Sequence, residues 1–350
     1  MLSLLAFKEV FDERFGRVLT DYTERVSHRA GGYLKVMSYL DHANHIALGG
    51  GKRLRPYLAY CAHYAYGGNQ ALSIDVGIGL EMIHALALML DDIADGASTR
   101  HHHQTLHTKL LDQGIAKEQA YIQTALVSDF YYHRVFSHLM TICEMYPSFP
   151  LAYVQREFHT LLDEVLLGEM IDIDMQGRLD ATIDHIRLKD HLKTSSYTCI
   201  RPLLIGALAA KPQISQKDRD HMYALGCALG AAYQIADDLG DLTGLHKDKP
   251  VWSDIQEGQQ NMITVKVLEL GSSRLQSMRS RLLGQKDVVH HEYRKLYEQL
   301  KEEHILHAVY EEGITYLDDV EMHLHQLDRP DAVRARMMEL VGLIKKRMHI

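Results

Sequence analysis

Two short carboxylate runs are the residues in this chain best suited to chemistry. The first, Asp91-Asp92-Ile93-Ala94-Asp95, ends a strongly apolar stretch that also holds Glu81 and His84. The second, Asp237-Asp238-Leu239-Gly240-Asp241, ends another apolar stretch, Ala224 to Ala236. On a helix the i, i+4 spacing places Asp91 and Asp95 on one face, with His84 two turns earlier on the same face. Like charges at that spacing weaken a helix by a few tenths of a kcal/mol, and by more beside apolar turns, so each run calls for a counter-ion. Mg2+ is the natural candidate, because it takes oxygen ligands and is commonly held by one or two carboxylates together with substrate phosphates. A diphosphate is then implied as co-ligand. The competing reading is a solvated acidic helix end, and a pattern that recurs after two apolar helices weighs against it.

A third element is Gly49-Gly50-Gly51-Lys52-Arg53-Leu54-Arg55-Pro56, where a glycine loop leads into a helix whose first turn is expected to carry three cations. Helix N-termini favour anions through unpaired N–H groups and the macrodipole. Lys52, Arg53 and Arg55 are therefore candidate diphosphate ligands, with a basic surface turn as the alternative.

The elements that must position these groups read as helices. Apolar residues recur at three- and four-residue spacing, as in Leu80, Ile83, Leu86 and Met89, and no sustained period-two run appears. Breaks fall at Gly49 to Gly51, Gly67-Gly68-Asn69, Pro147 to Pro150, Lys211-Pro212, Gly244 to Pro250 and Arg329-Pro330. None is a long linker, so a single all-α domain over residues 1–350 is expected. The net charge of -8 argues against a general nucleic-acid binder. Cys61, Cys143, Cys199 and Cys227 form no C-x-x-C pair, which fits a reducing cytoplasm. The apolar start, Met1 to Phe7, lacks the basic flank and cleavage site of a signal peptide. The most apolar stretch, Ile78 to Leu90, is interrupted by Glu81 and His84 and reads as too short to cross a bilayer, so no membrane span is expected.

Taken in order, these residues resemble the trans-isoprenyl diphosphate synthases, the polyprenyl synthetase family, and in particular those that make geranylgeranyl diphosphate. The resemblance rests on G-G-K-R-x-R-P at Gly50 to Pro56, E-M-I-H at Glu81 to His84, and D-D-x-x-D at Asp91 to Asp95. It continues with G-x-x-x-D at Gly168 to Asp172, Lys193-Thr194, Y-Q-x-x-D-D-x-x-D at Tyr233 to Asp241, and K-P-x-x-S-D-x-x-E-G at Lys249 to Gly258. It covers roughly residues 45–265, while 266–350 match only in being helical.

The resemblance implies a helical bundle of the isoprenoid synthase type with a central active-site cavity. It also implies an enzyme that condenses isopentenyl diphosphate with an allylic diphosphate. Asp91, Asp95 and Asp237 would ligand two or three Mg2+ ions, with Asp92, Asp238 and Asp241 in support. Arg100, Lys193 and Lys249 would hold the allylic diphosphate, which in that family sits between the two aspartate runs. Lys52, Arg55 and His84 would hold isopentenyl diphosphate, with Thr194 and Gln234 flanking the reacting carbon. A homodimer is implied as well. Product length in the family depends on residues just before the first aspartate run. Leu86 and the small Ala87 stand there, pointing to geranylgeranyl diphosphate or longer.

The chain departs from the family pattern at Arg100-His101-His102-His103-Gln104-Thr105, where R-R-G-x-x-T is usual. His101 replaces an arginine expected at isopentenyl diphosphate, and a neutral imidazole offers one donor where guanidinium offers a charged fork. Weaker binding of that substrate, steeper at high pH, is expected. The three histidines read as a phosphate-facing or solvated loop rather than a zinc site. Asp248 and Trp252 stand where glycines are common. Two other readings are a class I terpene cyclase and a non-catalytic subunit of a prenyl synthase heteromer. The intact second run argues against the cyclase, whose second metal motif is usually of another type, and both intact runs argue against the subunit.

Overall fold

The computed structural model describes residues 1–31, 33–243, 251–285, 290–327 and 329–348. Its helices in chain order are α1 (Leu4–Arg29), α2 (Leu34–Leu48), α3 (Leu54–Ala65), α4 (Gln70–Asp95), α5 (Leu106–Asp112), α6 (Lys117–Met145), α7 (Leu151–Met175) and α8 (Ile183–Asp190). A π-helical segment, His191–Ile200, follows directly. Then come α9 (Arg201–Ala210), α10 (Gln216–Thr243), α11 (Ser253–Glu257), α12 (Met262–Leu270), α13 (Ser273–Leu282), α14 (His290–Glu302), α15 (Ile305–Gln326) and α16 (Asp331–Arg347). The expected all-α class holds among the described residues. The exception is a two-residue pair, β1 (Thr99–Arg100) antiparallel to β2 (His103–Gln104).

The chain groups into two compact units, Met1–His159 with Pro202–Ile214, and Thr160–Arg201 with Ser215–Ile350. Two of the crossings fall inside α7 and α9, so composition shows no shift there.

In the first unit α1 buries Phe7, Phe11 and Phe15 at i, i+4, i+8 spacing. Neighbouring rings lie 5.5 and 5.7 Å apart, and Phe7 stacks on Tyr60 of α3 at 5.1 Å. α4 packs against α3 and α6. Asn69 caps its start by accepting from the Leu72 N–H at 2.8 Å, and Gly96 ends it in the left-handed conformation. The apolar stretch Ile78 to Leu90, read as too short to cross a bilayer, lies within this longer helix. It has 26 residues and is apolar enough to span a membrane, but 83% of its most apolar window is buried in the protein. Its apolar length is that of a core helix.

In the second unit α10 is the central element, packed on the π-helical segment, α15, α16 and α12. Asn261 starts α12 by accepting from the Thr264 N–H at 3.2 Å. These two units carry the two aspartate runs separately, on α4 and on α10.

Candidate active site

At the end of α4, Asp91 and Asp95 are partly exposed and Asp92 is buried. Arg100 of β1 donates to Asp92 at 2.8 and 2.5 Å and to Asp91 at 2.9 Å. Arg100 is expected at a diphosphate; the structure places it on the first aspartate run as its counter-ion. The carboxylates of Asp92, Asp91 and Asp95 offset the burial of its guanidinium and hold it above its ordinary value. Burial pushes the His84 imidazole well below its ordinary value, reinforced by Arg55, Arg100, Arg53 and His101, so it stands as a neutral group.

The glycine loop corrects one expectation. α3 starts at Leu54, so of the three cations only Arg55 lies in its first turn. Arg53 is 3% exposed and adopts a left-handed backbone with φ 52°. Its guanidinium turns inward to Asp12 at 2.7 Å and to the buried Glu81 at 2.5 Å, and lies over Phe15 at 5.6 Å. Arg53 is therefore a core ion pair and not a ligand for substrate, whereas Lys52 is exposed and Arg55 partly so.

The triple histidine forms the turn of the small hairpin. His101 and His102 are its two turn residues, with φ 52° and 64°, as two-residue hairpin turns require. His101 lies flush on the loop: a Cβ at Gly50 would meet its Cγ at 2.3 Å. His103 lies on Gly49 and meets the His45 ring at 4.4 Å. Among the described residues no group of three His, Cys, Asp or Glu side chains converges as a metal site.

On α10, Asp238 and Asp241 are buried and held by protein donors. Asp238 accepts from Gln234 at 2.7 Å and from the Met262 N–H at 3.0 Å. Burial raises its carboxyl well above the usual range, and Asp190 and Asp254 add to the effect. Asp241 accepts from the Ser253 hydroxyl at 2.6 Å and from the N–H groups of Ser253 and Asp254 at 3.1 and 3.3 Å. Asp237 differs, with a side chain 45% exposed and Arg347 of α16 donating to it at 2.8 Å.

The π-helical segment presents Lys193 and Thr194, a frequent role for such helices at functional sites. The G-x-x-x-D spacing has a physical reason here. Gly168 lets the segment approach so closely that a Cβ would stand 2.6 Å from the Lys193 nitrogen. One turn on, Asp172 accepts from the Lys193 ammonium at 2.7 Å, and Glu169 lies 2.8 Å from it. Thr194 donates to Gln234 at 2.5 Å, which links the expected catalytic pair directly. A cavity of about 370 Å3 is lined by Gln234 together with apolar residues such as Ala228 and Ile235 and charged ones such as Arg187 and Asp190.

Lys249 lies outside the described residues, as does Asp248. Trp252 stands left-handed at φ 65°, where glycine is the usual choice, with its ring 5.9 Å from Tyr293. Ser253 stands in the motif quoted from Lys249 to Gly258, whereas nothing in the sequence marked Arg347 or the Met262 N–H as partners of the second run, because each comes from farther along the chain.

Asp91 and Asp95 on α4 and Asp237 on α10 each present a partly exposed carboxylate, a hard oxygen donor of the kind that suits Mg2+.

Comparison with known proteins follows the same lines. A family model described as polyprenyl synthetase matches residues 37–300. A geranylgeranyl diphosphate synthase of Sulfolobus acidocaldarius is 26% identical over 282 residues, covering 79% of this chain and 80% of that protein. One from Saccharolobus solfataricus is 23% identical over 316 residues, covering 87% and 88%. A crystal structure of geranylgeranyl pyrophosphate synthase from Corynebacterium glutamicum, complexed with isoprenyl diphosphate and magnesium, superposes with a TM-score of 0.89. It is 24% identical and is covered completely, against 99% of this chain. At that identity the superposition establishes the isoprenyl synthase all-α fold.

Proposed function

The chain belongs to the polyprenyl synthetase family and is a prenyltransferase, and from that premise we propose a Mg2+-dependent condensation of isopentenyl diphosphate with an allylic diphosphate. The observation that carries this reading is the repeated D-D-x-x-D. In each copy one or two carboxylates are buried and fastened by protein donors, while others stand partly exposed on the helix face. The family match runs through both compact units, and we read them as one functional domain.

Asp91, Asp95 and Asp237 would hold two or three Mg2+ ions. Bound there, the metal supplies positive charge that stabilises the departing diphosphate. Lys193, already fixed by Asp172 and Glu169, adds a directed cation for the same oxygens. Arg100 can exchange a carboxylate for a phosphate oxygen without leaving its place on β1. Lys52, Arg55 and neutral His84 suit isopentenyl diphosphate. As the allylic C–O bond breaks, the isopentenyl double bond attacks the resulting cation and a proton passes to the released diphosphate. Apolar side chains of α4 keep water away from the cation. Leu86 is buried before the first run and Ala87 is small, which supports a product longer than farnesyl, of geranylgeranyl length or above.

Homodimer formation is part of the same reading, supported by the exposed i, i+4, i+8 row Ile122, Leu126 and Phe130 on α6. A monomer by light scattering would count against it. The main test is incubation with Mg2+, labelled isopentenyl diphosphate and allylic primers of increasing length, with products sized. Asp91→Ala and Asp237→Ala should each lose about a hundredfold or more in rate. Full activity in both variants would end the proposal.

A further inference from the structure

In the second unit an ammonium group is buried where the reaction assigns it no role. Lys189, near the end of α8, is 5% exposed. Its Nζ donates to the Gln260 carbonyl at 2.9 Å, stands 2.7 Å from Asp190 and lies 3.8 Å from Asp172. Burial opposes its charge, but Asp190 and Asp172 outweigh it and hold the ammonium above the ordinary lysine value. Lysine is rarely buried, and a buried ion pair is weak evidence for stability, so its geometry is the informative part.

Two chains of contact leave Lys189, and each ends on a residue of the candidate site. The first passes through Asp172, whose other oxygen accepts from Lys193. The second passes through Gln260. That residue is gripped at its backbone carbonyl by Lys189 and at its side-chain carbonyl by Arg279 at 2.8 Å, and its amide donates to the Arg178 carbonyl at 2.7 Å. Arg279 is itself buried. Two residues beyond Gln260, the Met262 N–H donates to Asp238, in the turn that Asn261 caps.

We propose that Lys189 is a positioning residue, fixing Lys193 through Asp172 and Asp238 through the turn from Gln260 to Met262. The role rests on the prenyltransferase reading above. A diphosphate-binding cation and the second aspartate run are thereby held to one buried nitrogen with three oxygen partners. Because the group is buried, a substitution there cannot be made good by water.

Lys189→Met keeps length and volume but leaves buried Asp190 without the cation beside it and Asp172 with Lys193 alone of the two lysines. Lys189→Met/Asp190→Asn removes the charge pair and guards against simple failure to fold, and Lys189→Arg is the conservative variant. Each is measured for kcat, for KM of both substrates, and for hydrogen exchange over residues 259–264 in the ligand-free protein. The double variant is expected to stay folded and to exchange at the Met262 amide about tenfold faster. Its kcat should fall about tenfold or more, as misplacement of reacting groups by a fraction of an ångström does. KM for isopentenyl diphosphate should stay within about twofold, because Lys52, Arg55 and His84 lie outside this network, and Lys189→Arg should recover part of kcat. An unchanged kcat or an unchanged exchange rate in the folded double variant overturns the proposal. So does an equal loss in every kinetic constant. If the wild-type protein transfers no prenyl group, the functional reading fails first, and the exchange rates alone still decide whether Lys189 holds the turn.

Discussion

Gly168→Ala adds a single methyl group where α7 lies tightly against Lys193 of the π-helical segment. The new Cβ would stand 2.6 Å from the Lys193 nitrogen, 2.9 Å from its Cα and 3.0 Å from its Cβ. Ordinary contact needs about 3.5 Å, so the backbone must retreat by close to 1 Å. Two effects oppose each other. Alanine in a helix interior is favoured over glycine by about 0.5–1 kcal/mol, while overpacking of this kind costs about 1–3 kcal/mol. The clash is with backbone, which cannot rotate away, so the cost should win and the net loss should be about 1–2 kcal/mol. The effect on catalysis is larger, because the displaced residues are Lys193 and Thr194, the latter bonded to Gln234 at 2.5 Å. A shift near 1 Å in such groups costs about a hundredfold in rate. The assay compares kcat and thermal unfolding with Gly342→Ala on α16, where a Cβ meets nothing within 4 Å. That control should gain slightly in stability and keep its activity. If Gly168→Ala keeps kcat within about twofold and melts no lower than wild type, the close-approach argument is wrong.

Arg53→Met strands the buried Glu81 and should cost about 3–5 kcal/mol in urea unfolding, with Arg53→Met/Glu81→Met recovering most of it. Unchanged stability with a large rise in KM for isopentenyl diphosphate would restore Arg53 as a ligand. His101→Arg should lower that KM severalfold, and by more near pH 8.5 than near pH 6, because guanidinium keeps its charge over the whole interval; an equal ratio at both pH values would contradict this. Leu86→Phe should shorten the product, since Leu86 is buried just before the first aspartate run and a ring there takes up more room. An unchanged product length would remove Leu86 from the control of chain length.

What the sequence made legible follows from distance along the chain. The aspartate runs could be read because their spacing is local, and helix geometry converts i, i+4 into one face without further information. The helical class was legible for the same reason. The hairpin at the triple histidine was not, because its signal is two non-glycine residues with positive φ, which residue type seldom announces. The apolar stretch within α4 read as too short to cross a bilayer because Glu81 and His84 interrupt it, although the whole helix runs for 26 residues. Glu81 is instead the inward partner of an arginine 28 residues away.

Lys52, Arg53 and Arg55 make the same point from within one motif. Composition and spacing treat them alike, yet the left-handed backbone at Arg53 turns the middle cation into the core, where Asp12 and Glu81 take up its charge. A motif therefore states which charges a site has available, and long-range pairing decides which of them face a ligand. The second aspartate run obeys the same rule. Asp238 and Asp241 are occupied by donors from Gln234, Met262, Ser253 and Asp254, so under the proposed function their part would be to fix the helix end from which Asp237 is presented. Replacing either by alanine should raise hydrogen exchange over the segment around Ser253 to Met262 as well as slow the reaction, whereas Asp237→Ala should slow the reaction and release Arg347 of α16 while leaving exchange in that segment unchanged.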